Sequence, residues 1–301
     1  MLELRRLRLL RELHARGTIT AVAEALSYSP SSVSEQLSEL EREAGALLLE
    51  RVGRNVRLTE AGRVLVGHAE ALLRRMDEAE AEVAVAAQAV AGVVRIATFQ
   101  SAAIQLLPLA LRQLDDAYPS LRIEVVEMET EQGLQALVLH EIDLLIAVEY
   151  DDLPRPRHAS LQREDLLRES MRLVLPSGAA TTDVGEPVAI ADLHDAAWAA
   201  GYPGTGHAAM VARACNALGR FDPEIRHRAD DLLILLALVR SGCAVTLLPE
   251  LVIDDRDDGI TARPIAEADL GRVIFLAMRT GSPARPALLA VRDALRGVCS
   301  S

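Results

Sequence analysis

The chain has 301 residues, a net charge of −12, half of its residues hydrophobic and only 3% aromatic. That length gives room for two domains with proper cores, the scarcity of aromatics argues against stacking on unpaired bases, and three widely spaced cysteines, Cys215, Cys243 and Cys299, argue against a disulfide framework or a zinc site. All 32 basic residues are arginine, which we attribute to genome composition; residues 1–58 hold nine arginines against eight glutamates, a balance of +1 that leaves −13 for the remainder.

The opening residues 1–6 lack the apolar run of a signal peptide, so a cytoplasmic protein is expected. The uncharged alanine-rich stretch near 85–93 and the apolar 232–239 are too short to span a bilayer, and no membrane partner is expected. Residues 18–41 predict two short amphipathic helices joined by a tight polar turn. The first is expected to start at Thr20, whose hydroxyl would cap the opening turn, and to bury Val22, Ala23 and Leu26. The second opens at Ser29 and Pro30, where serine suits the N-cap and proline loses only an N–H without a helical partner. Val33, Leu37 and Leu40 recur at spacings of four and three and face a core, leaving Ser31, Ser32, Ser34, Glu35 and Gln36 outward. Hydroxyls and an amide at a helix N-terminus can donate to phosphates and base edges in a major groove. The bland alternative is a helical hairpin with a solvated serine face.

Residues 50–59 alternate apolar and polar around Gly53, Arg54 and Asn55 and predict a hairpin. Arg51, Arg54 and Arg57 would line this wing, where arginine can fork onto phosphates or enter a minor groove. A cap at Thr59 and Glu60 in the first turn then start a helix expected to run to about Ala91 and Gly92, roughly 45 Å at 1.5 Å per residue. Along it Leu65, Ala69, Leu72, Met76, Ala79, Val83, Ala86 and Val90 alternate steps of four and three, a heptad seam. A second copy of the same helix is the simplest partner for that seam, and a symmetric dimer would set two reading helices on successive half-sites; packing against the chain's own body is the alternative.

The leucine-rich start, the helix opening at Ser29, the wing through 50–62 and the long linker helix resemble the LysR-type transcriptional regulators. The likeness continues, in the family's order, through Gly-Val-Val-Arg-Ile-Ala-Thr at 92–98, then 107–114, 118–127, 137–147 and 238–250. It implies a winged helix-turn-helix domain over 1–58, a linker and dimerisation helix over 59–91 and a two-lobed, periplasmic-binding-protein-like effector domain over 92–301. Lobe I would comprise 92–161 and 268–301, and lobe II 162–267, with crossings near 161–163 and 265–268. One departure bears on DNA: where many members carry a basic residue after the recognition serine, this chain has Glu35, which can accept only from donors such as the cytosine amine.

From 93 onward strand-like runs at 93–98, 122–127, 143–148, 172–175, 244–248 and 272–278 alternate with helical ones near 101–117, 131–140, 205–218, 231–241 and 283–296, the pattern of doubly wound α/β layers. Ligands of such sheets sit beyond the carboxyl ends of strands, where helix N-termini supply free N–H groups. Thr98, Gln100, Ser101 and Ala102 fall at that place after the first strand, Glu129 and Thr130 after the second, and Tyr202, Gly204 and Thr205 open a helix in the other lobe. Together they are expected to hold a small-molecule effector of anionic or carboxylate-bearing character, bridging Ser101 and Thr205; singly, each could be no more than a cap.

No enzyme is expected. The Gly-Thr-Gly at 204–206 lacks the spacing of a nucleotide loop, no nucleophile elbow occurs, and His140 has no second histidine four residues on. No cofactor or metal is called for, and the cysteines are expected to be free thiols rather than the oxidant-sensing pair of some family members. The partners expected are double-stranded operator DNA, an effector, further copies of the chain as homodimer or, by family likeness, homotetramer, and RNA polymerase. The competing reading is a cytosolic small-molecule receptor that binds no operator.

Overall fold

The structure, a computed structural model, describes residues 1–26, 28–52, 55–86, 90–155, 160–178, 186–253, 258–280 and 285–300. It divides into two compact units, Met1–Gln88 and Ala89–Ser301.

The first unit opens with α1 (Leu4–Arg16), a helix to which the sequence reading gave no bounds. Leu7, Leu10 and Leu13, three residues apart, bury one face, and the helix stops where Gly17 takes φ +77° and returns its N–H to the Leu13 carbonyl at 2.9 Å. Next come α2 (Ile19–Ala25) and α3 (Pro30–Ala44), then a hairpin of β1 (Leu49–Val52) and β2 (Asn55–Leu58), and the long α4 (Glu60–Ala86). Val22, Ala23, Val33, Leu37 and Leu40 meet the α1 leucines in one core, closed by Leu48, Leu58, Val66 and Ala69. Each leucine so buried contributes about 1.5–3 kcal/mol. The cap of α2 differs from expectation: Thr18 Oγ1 accepts the Ala21 N–H at 3.2 Å, and Thr20 is an exposed residue within the helix.

The second unit is built on a seven-stranded sheet in the order β10-β6-β11-β5-β3-β4, with β9 also paired to β6. Its strands are β3 (Gly92–Thr98), β4 (Leu121–Glu127), β5 (Leu144–Tyr150), β6 (Leu161–Pro176), β9 (Thr246–Pro249), β10 (Ile260–Arg263) and β11 (Gly271–Arg279). A separate parallel pair joins β7 (Ala197–Ala200) to β8 (Glu224–Arg228). The helices are α5 (Gln100–Gln105), α6 (Leu107–Ala117), α7 (Thr130–Val138), α8 (Gly206–Ala214), α9 (Leu232–Arg240) and α10 (Pro286–Cys299). Strand alternation sends Val94, Ile96, Leu144, Ile146 and Leu276 to the face covered by α6 and α10, and Ala97, Leu145, Ala147 and Phe275 to the face covered by α7. With both faces covered, β5 reads as a continuous apolar run, as buried parallel strands do.

Two lobes arise because β6 belongs to both. Its residues through Ser170 pair with β11, and from Met171 onward it pairs with β9 and β10. The first crossing therefore lies inside an unbroken strand at Ser170 and Met171, later than 161–163, and the strand expected at 172–175 is only the last part of a 16-residue one. The charged residues at 163–165, 168 and 169 hid its first half. The return runs between Arg263 and Gly271.

Candidate DNA-reading face and effector cleft

The head. Ser29 caps α3 by accepting the Ser32 N–H at 3.1 Å, and its hydroxyl lies 2.9 Å from that of Ser31. With Val33, Leu37 and Leu40 buried, Ser31, Ser34 and Glu35 are exposed, Pro30 leads the exposed end and Ser32 is half-buried. Gln36 differs from its expected outward role: its Oε1 accepts from Arg6 Nε at 3.1 Å, and Arg6 also donates to Glu43 at 2.6 Å, so the amide helps lock α1 to α3. On the wing, Arg57 pairs with Glu50 opposite it at 2.6 Å, Arg51 is exposed, and Arg54 lies outside the described residues.

Three supports of this face escaped sequence reading. The Glu41 carboxylate accepts the Leu48 and Leu49 N–H groups at 2.8 and 2.9 Å, tying the wing to α3. Arg5 donates to the Tyr28 hydroxyl at 2.6 Å, bracing the turn before α3. Thr59 caps α4 through the Gly62 N–H at 3.0 Å, as expected, and the third support is its donation to the Leu47 carbonyl at 2.7 Å.

The seam on α4 is divided. Ala69 is fully buried in the head's own core and Leu65 packs against that core, so these two are committed within the chain. Leu72, Met76 and Val83 are 48%, 43% and 69% exposed, with Ala79 half-buried and Ala86 exposed. Val90 lies beyond the described end of the helix and packs on the core of the second unit.

The cleft. A cavity of about 190 Å³ lies where the lobes meet. From lobe I it is lined by Phe99, Gln100 and Ser101 after β3, by Glu127, Glu129 and Thr130 after β4, and by Val148, Tyr150 and Arg155 at and beyond the end of β5. Lobe II supplies Thr205, Gly206 and His207 at the start of α8 and residues 229–232 leading into α9; Arg272 enters from the start of β11. Among the nine residues expected there, Gln100, Ser101, Glu129, Thr130 and Thr205 line it. Thr98 and Ala102 are buried behind it, and Tyr202 and Gly204 are outside the lining. Tyr202 supports the wall through its backbone: its N–H donates to Asp230 at 2.9 Å and its carbonyl accepts from Thr205 Oγ1 at 2.9 Å.

Several lining groups are already engaged. Gln100 spans the two lobes, accepting the Leu232 N–H at 2.7 Å and donating to Asp231 at 2.8 Å, and that bond holds the Asp231 carboxyl below its ordinary range. Ser101 does not offer a free hydroxyl for bridging to Thr205, because its buried Oγ accepts from Arg272 at 2.7 Å. Arg272 is itself buried and paired with Glu169 at 2.6 Å. Thr130 holds the backbone of Val148. His207 accepts the Gly201 N–H at Nδ1 and donates from Nε2 to the Leu247 carbonyl at 2.8 Å, so it is the neutral Nε2–H tautomer; burial pushes its pKa down. Burial likewise pushes the Tyr150 phenol up.

Arg272, Asp230, Asp231 and His207 were missed as cleft residues. A signal existed for Arg272: β11 runs antiparallel to β5, so its first residues lie beside the carboxyl end of β5, with Arg272 opposite Tyr150. For Asp231 the signal was its place before an apolar helix, which it caps through the Leu233 N–H at 2.8 Å. Among the described residues no helix is long and apolar enough to cross a membrane, and no group of three His, Cys, Asp or Glu is placed to hold a metal ion.

Residues 4–63 match the bacterial regulatory helix-turn-helix protein, lysR family, and residues 87–300 match the LysR substrate binding domain. Over 284 residues the chain is 30% identical to the probable hydrogen peroxide-inducible genes activator of Streptomyces viridosporus, covering 91% of this chain and 88% of the relative. A full-length OxyR variant from Pseudomonas aeruginosa superposes with a TM-score of 0.66 at 21% identity, covering 98% of each chain. The full-length regulator CbnR complexed with its target DNA superposes at 0.56 and 22% identity, covering 99% of this chain and 100% of that one; both likenesses are of fold. With a winged helix-turn-helix head, a two-lobed α/β domain and a match to each, the chain belongs to the LysR family of bacterial DNA-binding transcriptional regulators, each joined to an effector-binding domain.

Proposed function

We propose that this regulator acts in the cytoplasm as a homo-oligomer and reads double-stranded operator DNA with the exposed flank of α3. Ser31, Ser32, Ser34 and Glu35 face the groove, while Arg51 and Arg57 of the wing contact phosphates. Residues 1–58 form the reader, 59–91 the linker and 92–301 the effector domain. Dimers pair through Leu72, Met76, Ala79 and Val83, and a small molecule in the cleft favours one lobe arrangement. Only a difference in its affinity for the two arrangements can then move the heads and alter polymerase access. The chain performs no catalysis.

The observation that carries this reading is the α3 surface: a capped helix with one face wholly buried and a row of short polar side chains left outward beside an arginine-bearing hairpin. The likeness to a regulator solved on its target DNA supports it. Peroxide sensing by thiols, which the name of one relative would suggest, lacks support here. Cys215 is buried with its thiol pushed up to about 12, and no cysteine is among the residues lining the cleft.

An electrophoretic shift assay on the upstream intergenic DNA at low ionic strength tests the proposal. Wild type retards the fragment, and the double substitution Ser31→Glu, Ser34→Glu weakens retention by about two orders of magnitude while circular dichroism is unchanged. If wild type leaves the fragment unshifted, operator reading fails.

A further inference from the structure

We infer that the effector of this cleft carries a cationic nitrogen, an ammonium or amidinium group, seated between Glu129 of lobe I and Asp230 of lobe II. The inference rests on the cleft being the effector site, as proposed above. Helix N-termini at the cleft suggested an anion from sequence alone, but α7 and α9 are each preceded by a carboxylate at the N-cap, Glu129 and Asp231, so those positive dipole ends already have their anions.

The charge balance of the walls points the same way. Both lining arginines are matched by carboxylates outside the lining: Arg272 by Glu169 at 2.6 Å and Arg155 by Glu131. Four lining carboxylates remain, Glu127, Glu129, Asp230 and Asp231. Asp231 is occupied by Gln100 and the Leu233 N–H. Asp230 accepts the Tyr202 N–H and faces Glu129 closely enough to help push the Glu129 carboxyl up, after burial, the larger cause. Among the described residues the Glu129 carboxylate has no hydrogen-bond donor. Two like charges, one on each lobe, thus line the same cavity; Arg155 and Arg272 act on Glu129 and offset part of its charge, but each is paired with a carboxylate outside the lining, and an anionic ligand would add a third negative charge. A ligand cation would satisfy both and join the lobes, beside the span that Gln100 already makes.

The test is differential scanning fluorimetry and titration calorimetry on the full chain with two sets of small probes: putrescine, agmatine, L-lysine and L-arginine against succinate and glutarate. At least one amine raises the melting temperature of wild type, and its affinity falls at least about tenfold in Glu129→Gln and in Asp230→Asn. The same amine keeps its affinity in Asp115→Asn, which removes an exposed carboxylate outside the lining, and the melting curves of the variants confirm that each is folded. Stabilisation by a dicarboxylate, lost in Gln100→Ala, overturns the cationic ligand and leaves the cleft as the effector site. No response to any probe of either set overturns both.

Discussion

Arg272 enters the cleft wall from the first turn of a strand, with its Nε and one terminal nitrogen on Glu169, the same terminal nitrogen on Ser101, and its guanidinium 5.2 Å from the Phe99 ring centre. Glu169 also accepts the Leu251 N–H at 3.0 Å, so this pair joins β6, β11 and the turn after β9. Because both partners are nearly solvent-free, removing one leaves a buried charge without its counter-ion, a loss of about 3–5 kcal/mol. Arg272→Met is therefore expected to lower the melting temperature of the effector domain by many degrees. Arg272→Lys recovers only part of it, since an ammonium cannot fork between the two sites. Equal melting of Arg272→Met and wild type would show that the pair adds nothing to the fold. None of this was legible at residue 272 itself, because an arginine among 31 others gives no sign of burial until its strand neighbours are known.

At the scale of elements, the start of α3 was legible to the residue, since a serine cap, a proline at the first position and a three-four apolar spacing are all local signals, while the helix runs on to Ala44, past the 41 expected. The long α4 was legible as a helix, but the use of its apolar stripe was not: Ala69 is spent on α1, and only the later positions stay open. The root of α4 also grips the wing. A Cβ added at Gly62 would collide with the Leu48 carbonyl oxygen, a backbone atom that cannot swing aside, and meet the Leu58 side chain at 3.0 Å. Gly62→Ala gains about 1 kcal/mol of helix propensity but is expected to lose about 1–3 kcal/mol to overpacking. A lower melting temperature of the head and weaker DNA retention follow; a rise in stability would show that the wing shifts freely. The strands β7, β8 and β10 went unread because they are only four or five residues long and poor in the apolar alternation that marks a strand, being completed by neighbours distant in sequence.

For the whole molecule, Leu72, Met76 and Val83 stand exposed on one side of α4 at heptad spacing. If two copies pair there, Leu72→Glu with Met76→Glu places carboxylates in the seam and converts the oligomer to monomer. Light scattering behind size-exclusion chromatography measures this, and the head's helical signal should be retained. A dimer of unchanged mass in that variant would move the interface elsewhere. The head's near-neutral balance of +1 means that paired heads, rather than raw positive charge, must supply much of the DNA affinity.

The capped α3 helix with Ser31 and Ser34 outward, the long α4 and most of the helices and strands of the second unit were legible in the chain's own sequence, because caps, turns and apolar periods act over a few residues. Which polar groups remain free was decided only by the tertiary structure. Gln36 and Ser101 were expected to face ligands, yet each is held by an arginine, Arg6 and Arg272, that folding brings from 30 and 171 residues away. The acidity of the cleft has the same origin: Glu129 and Asp230 are ordinary surface carboxylates in sequence and become a facing pair only when a strand shared by two lobes folds the loop before α7 against the loop before α9. Local pattern sets where a side chain points, while the cancellation or accumulation of charge depends on partners that only the packed chain assembles.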